Sequence, residues 1–439
     1  FQRRRGNPVT AFGFPQWIVL TYVFVVGTVV GSFLNVCIYR IPLKERFWDS
    51  LKSIVYPPSR CPGCFHRIPA QFNVPLVGWL FLRGRCFHCS TKISWRYPAI
   101  EFGNGMLWAL VYWMEIPDGF GVSLTDSLTQ GIYGPDAVAG SAWLSPMAIL
   151  HWRFLYHMVL IEALVVASFI DLDSWQIPDG CTLPAMAVGI VGGGIVGRVW
   201  LAPVWHQSPR ITNDLRWVLP DWLEASFLNQ PVPDWVTGLP HLHGLAVSLA
   251  GLVVGGGVTW LLRILGHWAL QREALGFGDV VLMALIGSFL GWQASIVVFF
   301  VAPMMALLVV GATWLFRRNR ELPFGPYLSM AALYVILDWR SVWGQFEPIF
   351  GSGPLLICVG LVIGLLFVVT MRLIRLLFET IGFASYEEEV IEDLWTSADQ
   401  LTHFMGETVD PNQGRWPQTD WPGSESGRGW SQYQTWKNG

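Results

Sequence analysis

Long runs of apolar residues, separated by polar segments, make up most of the chain between residues 17 and 376. A helix that crosses a membrane needs about 20 consecutive, mostly apolar residues. These runs predict an all-α polytopic membrane protein with about eight or nine transmembrane helices. The predicted spans are 17–39, 99–114, 153–171, 181–200, 241–265, 278–291, 293–316, 323–338 and 353–376.

Polar segments between the apolar runs divide the chain into six predicted parts. The last part is polar and carries five tryptophans behind an acidic run, so we expect a disordered tail. The parts are an N-terminal segment (1–16), the first transmembrane helix (17–39), a polar domain (40–98), a transmembrane core (99–340), an extra C-terminal transmembrane helix (341–379) and the tail (380–439).

The composition supports a membrane protein and excludes several other classes. Hydrophobic residues make up 53% of the chain and charged residues only 13%, about half of the usual globular share. Such a chain cannot cover itself with a charged surface, which excludes a soluble enzyme and a disordered protein. The net charge of -3 also argues against nucleic acid as a partner, because phosphate binding needs a basic surface.

The basic residues of the loops predict the orientation in the membrane. The loop 40–98 contains ten Lys and Arg residues, whereas the loop 115–152 contains none. Cytoplasmic loops carry an excess of Lys and Arg. We therefore expect the polar domain 40–98 to lie in the cytoplasm, although the basic triplet at residues 3–5 favours the opposite orientation.

Four cysteines in this domain have the spacing of a metal site. Cys61 and Cys64 form one C-x2-C pair, Cys86 and Cys89 form a second, and 21 residues separate the pairs. Two such pairs supply four thiolates to one tetrahedral ion, as in a zinc ribbon. Structural disulfides are the weaker interpretation because the cytoplasm keeps thiols reduced. Sulfur ligands alone leave iron open beside zinc, and four protein ligands indicate a structural metal.

Two aspartates at the edges of predicted spans are candidates for catalysis. Asp171 ends the third span and Asp279 opens the sixth. These spans run in opposite directions, so both aspartates are expected at the same, cytoplasmic edge. Carboxylates that share a site do not both ionise easily, so one keeps a proton. The ionised group then takes a proton from water while the neutral one polarises a carbonyl, as in aspartic peptide hydrolysis.

Neighbouring residues are expected to support the aspartate pair. Gly276 and Gly278 let the backbone approach Asp279 closely and leave room for an extended substrate. Asp173 is a supporting carboxylate or a helix-boundary residue. The alternative for both catalytic candidates is that they cap helices or lie at the headgroup boundary, where a carboxylate costs little.

The motifs of this chain together resemble the bacterial type IV prepilin peptidase and N-methyltransferase family. The motifs occur in the family's order over about residues 27–340. They are Gly31-Ser32-Phe33-Leu34-Asn35-Val36, Tyr39-Arg40-Ile41-Pro42, the two C-x2-C pairs, Asn73-Val74-Pro75, Ile93-Ser94-x-Arg96-Tyr97-Pro98, Glu101, Ile170-Asp171-Leu172-Asp173, Ile177-Pro178-Asp179, Gly276-x-Gly278-Asp279, Gly291-Trp292 and Pro323-Phe324-Gly325-Pro326.

The resemblance implies an inner-membrane enzyme that cleaves prepilin-like or pseudopilin precursors and methylates the new N-terminus. It implies that Asp171 and Asp279 are the catalytic pair of a GxGD-type intramembrane aspartic protease. It also implies zinc on the four cysteines and S-adenosyl-L-methionine as the methyl donor. The residues that bind this donor are unknown, because the chain carries no glycine-rich donor motif of its own.

The chain departs from the family at a few positions, and other functions stay open. Val281 stands where many relatives carry Lys, and Gly78 stands where relatives often carry Ser. A peptidase without methyltransferase activity is therefore one alternative. A non-catalytic zinc-binding scaffold of a pilus or secretion system is another. A transporter is a third, since intramembrane aspartates also relay protons.

Overall fold

A computed structural model describes most of the chain as helices. Among the residues it describes, every regular element is helical, and the β structure consists of isolated bridges. Most of the predicted N-terminal segment, most of the loop 115–152 and the tail beyond residue 381 lie outside these residues. The described residues are 14–44, 46–61, 63–116, 146–217, 220, 234–270, 275–314, 323–352 and 355–381.

The helices follow the predicted apolar runs, with shorter helices between them. Each of the nine predicted spans lies largely within one helix. The helices are α1 (Gln16–Arg40), α2 (Phe47–Val55), α3 (Val77–Phe81), α4 (Arg96–Glu115), α5 (Pro146–Ser174), α6 (Asp179–Val196), α7 (Pro209–Arg216), α8 (Asp234–Gly238), α9 (Pro240–Leu270), α10 (Phe277–Leu290), α11 (Trp292–Trp314), α12 (Gly325–Leu337), α13 (Trp339–Phe350) and α14 (Leu355–Ile381).

The lengths of the apolar helices support a polytopic membrane protein. Among the described residues, five segments are long and apolar enough to cross a membrane, namely Gln16–Leu43, Ala148–Ser174, Asp179–Val196, Pro240–Trp268 and Trp292–Gly311. The same residues contain three shorter apolar segments, Phe277–Leu290, Gly325–Leu337 and Cys358–Ile374. The remaining predicted span, 99–114, lies in α4, which carries Arg96, Glu101 and Glu115 and falls in neither group.

Helix α10 forms the centre of the bundle, and this explains why it is only 14 residues long. Nearly all of its side chains from Val280 to Leu290 are buried, because it packs against α5, α6, α11 and α12. A helix that is hydrophobic on every side belongs in a protein interior. It therefore need not match the thickness of the lipid layer by itself, and its first turn can present Asp279 to neighbouring helices.

Glycines allow the close helix crossings around this centre. A Cβ added to Gly251 of α9 would lie 1.9 Å from the carbonyl oxygen of Gly287 of α10. In α1, Gly27 and Gly31 pack in the same way against α4, where a Cβ on Gly31 would lie 2.9 Å from the Cα of Glu101. Small residues let membrane helices approach closely in this way.

The chain divides into two compact units. One lies within Phe1–Leu262 and Gly276–Val359, and the other within Arg263–Leu275 and Gly360–Gly439. The four cysteines and both candidate catalytic aspartates belong to the first unit. In the second unit, Arg372 places its guanidinium 3.5 Å from the ring centre of Trp268.

Candidate active site and metal centre

The structure brings Asp171 and Asp279 together. Asp171 lies in the last turn of α5 and Asp279 in the first turn of α10, as their positions in the spans predict. Their exposed fractions are 6% and 8%, so both carboxylates are buried. They are close enough for the charge of Asp279 to act on Asp171. Two buried carboxylates at one helix junction form the arrangement that acid–base chemistry with water requires.

The segment that follows α5, residues 175–178, packs beside the two aspartates against α10 and α12. Helix α5 ends at Ser174, and Trp175 adopts a left-handed backbone conformation with φ of 57°. The N–H of Trp175 donates to the carbonyl oxygen of Asp171 at 2.8 Å. The chain then brings Ile177 against Gly278, where an added Cβ would lie 3.2 Å from the Cβ of Ile177. The same isoleucine packs against Gly325, so it contacts the N-terminal ends of both α10 and α12 beside the aspartate pair.

The N-terminus of α12 points at Asp171. The N–H of Gly325 donates to Oδ2 of Asp171 at 3.2 Å. A Cβ on Gly325 would lie only 2.5 Å from the same oxygen, so glycine permits this approach. The Ser168 hydroxyl of α5 donates to Ser329 at 2.8 Å, and Ser329 donates to the carbonyl oxygen of Gly325 at 3.0 Å. The N-terminus of α12 therefore holds the Asp171 carboxyl in a fixed orientation.

The predicted supporting residues have distinct surroundings. The N–H of Gly276 hydrogen-bonds Asp279, and a Cβ at this position would lie 3.3 Å from the Asp279 carboxylate. Gly278 faces Ile177 instead of open space. Asp173 forms a bidentate ion pair with Arg96, at 3.0 and 2.6 Å.

Sequence reasoning did not assign roles to Gly325 or Arg96. Both belong to motifs quoted for the resemblance, Pro323–Pro326 and Ile93–Pro98, but no charge or spacing connected them with the aspartates. A glycine between two prolines at the start of an apolar run was the available signal, since it places a free N–H at a helix N-terminus.

The two cysteine pairs form two similar turns. In the first, the N–H of Cys61 donates to the carbonyl oxygen of His66 at 3.0 Å, and in the second the N–H of Cys86 donates to that of Thr91 at 2.9 Å. The residue after each pair, Phe65 or Ser90, has a left-handed φ of 58° or 57°. An antiparallel bridge flanks each turn. This is the local geometry expected of two knuckles that present thiolates to one ion.

The four sulfur atoms fit a tetrahedral metal. All lie within 4.8 Å of one another. Sγ of Cys61 lies 3.7 Å from that of Cys89, and Sγ of Cys64 lies 4.0 Å from that of Cys86. Zinc–sulfur bonds of about 2.3 Å in a tetrahedron place sulfurs about 3.8 Å apart. The cysteines are free, and these separations far exceed the length of about 2.05 Å for a disulfide bond.

The surroundings of the thiols differ across the cluster. The hydroxyl of Thr91, 3.1 Å from Sγ of Cys89, hydrogen-bonds this sulfur and lowers the pKa of Cys89 to about 6. Burial raises the pKa of Cys61 to about 12 in the absence of an ion. A bound cation offsets that cost, because a coordinating thiol is deprotonated by the metal charge. The donor set therefore fits zinc as a structural ion.

Comparisons with known proteins agree with this arrangement. A family model described as the bacterial Peptidase A24 N-terminal domain matches residues 25–115, and one described as the type IV leader peptidase family matches residues 232–312. The chain is 29% identical to the prepilin leader peptidase/N-methyltransferase of Aeromonas salmonicida over 356 residues, covering 76% of this chain and 94% of that protein. The chain is thus similar to the type IV leader peptidase family.

Other relatives of this family have the same name and similar coverage. The prepilin leader peptidase/N-methyltransferase of Neisseria gonorrhoeae is 29% identical over 336 residues, which is 73% of this chain and 90% of that protein. The one of Pseudomonas putida is 28% identical over 351 residues, covering 76% and 95%. No solved structure matches the chain. The predicted resemblance is thereby confirmed, and this similarity together with the apolar helices indicates a multi-pass inner-membrane protein.

The two matched regions contain different parts of the candidate sites. The Peptidase A24 N-terminal match includes the four cysteines and Arg96, and the leader peptidase match includes Asp279. Asp171 lies between the matched regions. Its proximity to Asp279 in this chain therefore depends on the structure, which packs α5 against α10.

Proposed function

We propose that this protein is an aspartic endopeptidase that removes the leader from type IV prepilin-like or pseudopilin precursors and methylates the new N-terminus. The observation that carries the proposal is the buried Asp171–Asp279 pair at the junction of α5, α10 and α12. The names of the relatives support the substrate class and the second activity.

In the proposed reaction, Asp171 and Asp279 act on one water molecule and one peptide carbonyl. The ionised carboxylate takes a proton from the water, whose oxygen attacks the carbonyl carbon, while the protonated carboxyl donates to the carbonyl oxygen. The tetrahedral intermediate then collapses with cleavage of the C–N bond: the carboxyl that took the water proton passes it to the nitrogen of the leaving amine, and the other carboxyl recovers its proton from the carbonyl oxygen. Gly325 would hold Asp171 in position throughout, because its N–H already donates to Oδ2.

The proposed substrate combines a basic leader with a long apolar helix. Such a helix would enter the bilayer next to the end of α5 and the first turn of α10, where the aspartates lie, while the leader stays in the cytoplasm. Both aspartates lie at the ends of their helices, so the cleaved bond would lie at the membrane edge. We place this edge and the cysteine domain on the cytoplasmic side, because the loop 40–98 is strongly basic.

The cysteine domain would have a structural role and would take no part in the hydrolysis itself. Cys61, Cys64, Cys86 and Cys89 would hold a structural zinc ion, and four thiolates leave no coordination position for water. S-adenosyl-L-methionine, when bound, would supply the methyl group for the new N-terminal amine. The domain lies on the same compact unit as the aspartates and would keep the cleaved N-terminus near the membrane edge.

Cleavage of a prepilin-like substrate in membranes tests the proposal directly. Asp171→Asn and Asp279→Asn each keep the side-chain size and remove the titratable group. Each is expected to lower the cleavage rate by about 10²- to 10⁴-fold, the usual contribution of an acid–base group. Asp338→Asn, at the opposite end of α12, is the matched control and should cleave normally. Normal cleavage by both active-site variants at unchanged protein levels would overturn the catalytic assignment.

The rival functions give different results in the same experiment. A non-catalytic scaffold predicts that both Asp→Asn variants keep function, whereas Cys→Ser substitutions abolish it. A peptidase without methyltransferase activity predicts cleavage with no transfer of labelled methyl groups to the product. A transporter is disfavoured by the position of both aspartates at helix ends, since transport sites lie near the bilayer midplane.

A further inference from the structure

Helix α2 exposes an apolar and basic face that neither the metal centre nor the aspartate pair uses. Trp48, Lys52 and Val55 follow one another at spacings of four and three residues, so they share one face of the helix. Trp48 is 70% exposed and Val55 is 83% exposed, whereas Ser50 on the opposite face is 2% exposed. This face is therefore turned away from the helix bundle.

The contacts of α2 hold it at the edge of the membrane. The guanidinium of Arg40, the last residue of α1, donates to the carbonyl oxygens of Ser53 at 2.8 Å and Pro57 at 2.6 Å. On the buried face, a Cβ on Gly180 would lie 2.5 Å from the Ser50 hydroxyl. Gly180 lies in the first turn of α6. A candidate span ends near the first contact and another begins at the second, so we infer that α2 lies where the hydrocarbon layer meets the headgroups.

A shallow surface cavity, open to its surroundings and lined by residues of the segment 44–57, lies along the exposed face of α2. Lys44, Trp48, Lys52 and Tyr56 line it, together with Asp49. The cavity thus contains two ammonium groups, a phenol hydroxyl and an indole ring. The named residues carry only one carboxylate, so their net charge is positive.

The groups in this cavity match one end of a membrane lipid. Lysine side chains near a membrane surface attract anionic headgroups, and tryptophan and tyrosine favour the interface between headgroups and acyl chains. We propose that the α2 cavity binds the headgroup of an anionic phospholipid, with Lys44 and Lys52 at the phosphate and Trp48 against the glycerol and upper acyl chain. A basic peptide is the less favourable occupant because both lysines would repel it.

Lipid binding by the purified full-length protein tests this site. The delipidated protein is titrated in detergent with phosphatidylglycerol or with phosphatidylcholine, and bound lipid is counted by native mass spectrometry. The wild type should retain phosphatidylglycerol in preference to phosphatidylcholine. Lys44→Gln with Lys52→Gln should weaken phosphatidylglycerol binding about 25-fold, from about fivefold for each lysine. The charge-retaining pair Lys44→Arg with Lys52→Arg should bind as the wild type does.

A matched control separates a site from general attraction to positive charge. Arg60→Gln with Lys92→Gln removes the same two charges from exposed positions on the cysteine domain, outside the cavity. This control should keep the wild-type preference. Equal loss in the control and in the Lys44/Lys52 variant would overturn the proposal, as would a wild type that does not distinguish the two lipids.

A photo-reactive residue at position 48 gives a second measurement in an otherwise unchanged chain. Benzoylphenylalanine in place of Trp48 should cross-link to phosphatidylglycerol in mixed-lipid nanodiscs, whereas the same group in place of Phe87 on the cysteine domain should not. Cross-linking to a protein, or to no lipid, would contradict the site even if the lysine variants failed to fold.

Discussion

Arg96 and Asp173 form an ion pair that joins the cysteine domain to the helix of the candidate active site. Nη1 of Arg96 lies 3.0 Å from Oδ1 of Asp173, and Nη2 lies 2.6 Å from Oδ2. Arg96 begins α4 shortly after the second cysteine pair, and its guanidinium lies 5.2 Å from the ring centre of Phe169 in α5. Asp173 follows Asp171 by two residues. The end of α5 is thus fixed from the side of the cysteine domain.

Loss of this pair is expected to slow cleavage. Arg96→Gln leaves Asp173 without its bidentate partner. A partly exposed ion pair contributes about 1 kcal/mol of interaction free energy. If that free energy serves to position Asp171, its loss lowers the cleavage rate about fivefold. The measurement is kcat and KM for cleavage, with thermal unfolding of the same preparation. A positioning role predicts a lower kcat with KM and melting temperature nearly unchanged, whereas a purely structural role predicts a lower melting temperature and normal kcat in the folded fraction.

Two further variants control this prediction. Arg85→Gln removes an exposed charge from the same domain and should leave kcat unchanged. Exchanging the two charges, with Arg96→Asp and Asp173→Arg together, should recover part of the lost rate. Equal kcat in the wild type and Arg96→Gln would contradict the positioning role.

Gly325→Ala is expected to disturb Asp171 directly. The added methyl group would lie 2.5 Å from Oδ2 of Asp171, which is closer than real Cβ contacts allow. The carboxylate must therefore move, and a displacement of about 1 Å at a catalytic group costs about 10²-fold in rate. Single-turnover cleavage measures this effect. Gly344→Ala is the control, because a Cβ there meets no atom within 4 Å. If Gly325→Ala cleaves as fast as this control, the contact of Gly325 with Asp171 does not matter for cleavage.

The sequence predicted the elements better than the contacts between them. Apolar runs located the long helices because a membrane helix needs little beyond length and apolarity. The two short spans that hold α10 and α12 also became helices, since their burial by neighbours replaces contact with lipid. Helix α13 was not predicted, because its residues 339–350 mix aromatic, charged and glycine positions without a long apolar run.

The sequence predicted those parts of the candidate sites whose chemistry depends on the type of side chain, and not those that depend on backbone groups. Four cysteines with C-x2-C spacing predict a metal site from residue type and spacing alone. The structure places their sulfurs within 4.8 Å of one another. The contact of Gly325 with Asp171 joins residues 154 positions apart through a backbone N–H, which no side-chain type reveals. The roles of Asp171 and Asp279 in catalysis stay predictions until the Asp→Asn variants are assayed.

Substitution in the cysteine cluster is expected to remove one metal ion for each chain. Cys89→Ser replaces an exposed ligand and leaves three thiolates, which weakens a structural site and loosens the domain it holds. Metal content by mass spectrometry should fall from one zinc per chain towards zero, and proteolysis of residues 60–95 should accelerate. Cys358→Ser, an exposed cysteine outside the cluster, should keep the metal. Iron in the wild type, visible by its thiolate absorbance, would contradict the choice of zinc.

Gly78→Ser introduces the residue that the resemblance described above leads us to expect at this position. It is expected to destabilise this chain and not to improve methylation. Gly78 is buried in α3, and an added Cβ would lie 2.2 Å from the carbonyl oxygen of Phe72. The backbone here must therefore shift, at a cost of about 1–3 kcal/mol in the free energy of unfolding, as for other overpacked sites. Thermal unfolding and methyl transfer to cleaved substrate are measured for this variant and for Gly103→Ser, whose added Cβ meets no atom within 4 Å. A gain of methyl transfer in Gly78→Ser at wild-type stability would show instead that the missing hydroxyl, and not the packing against Phe72, decides the second activity.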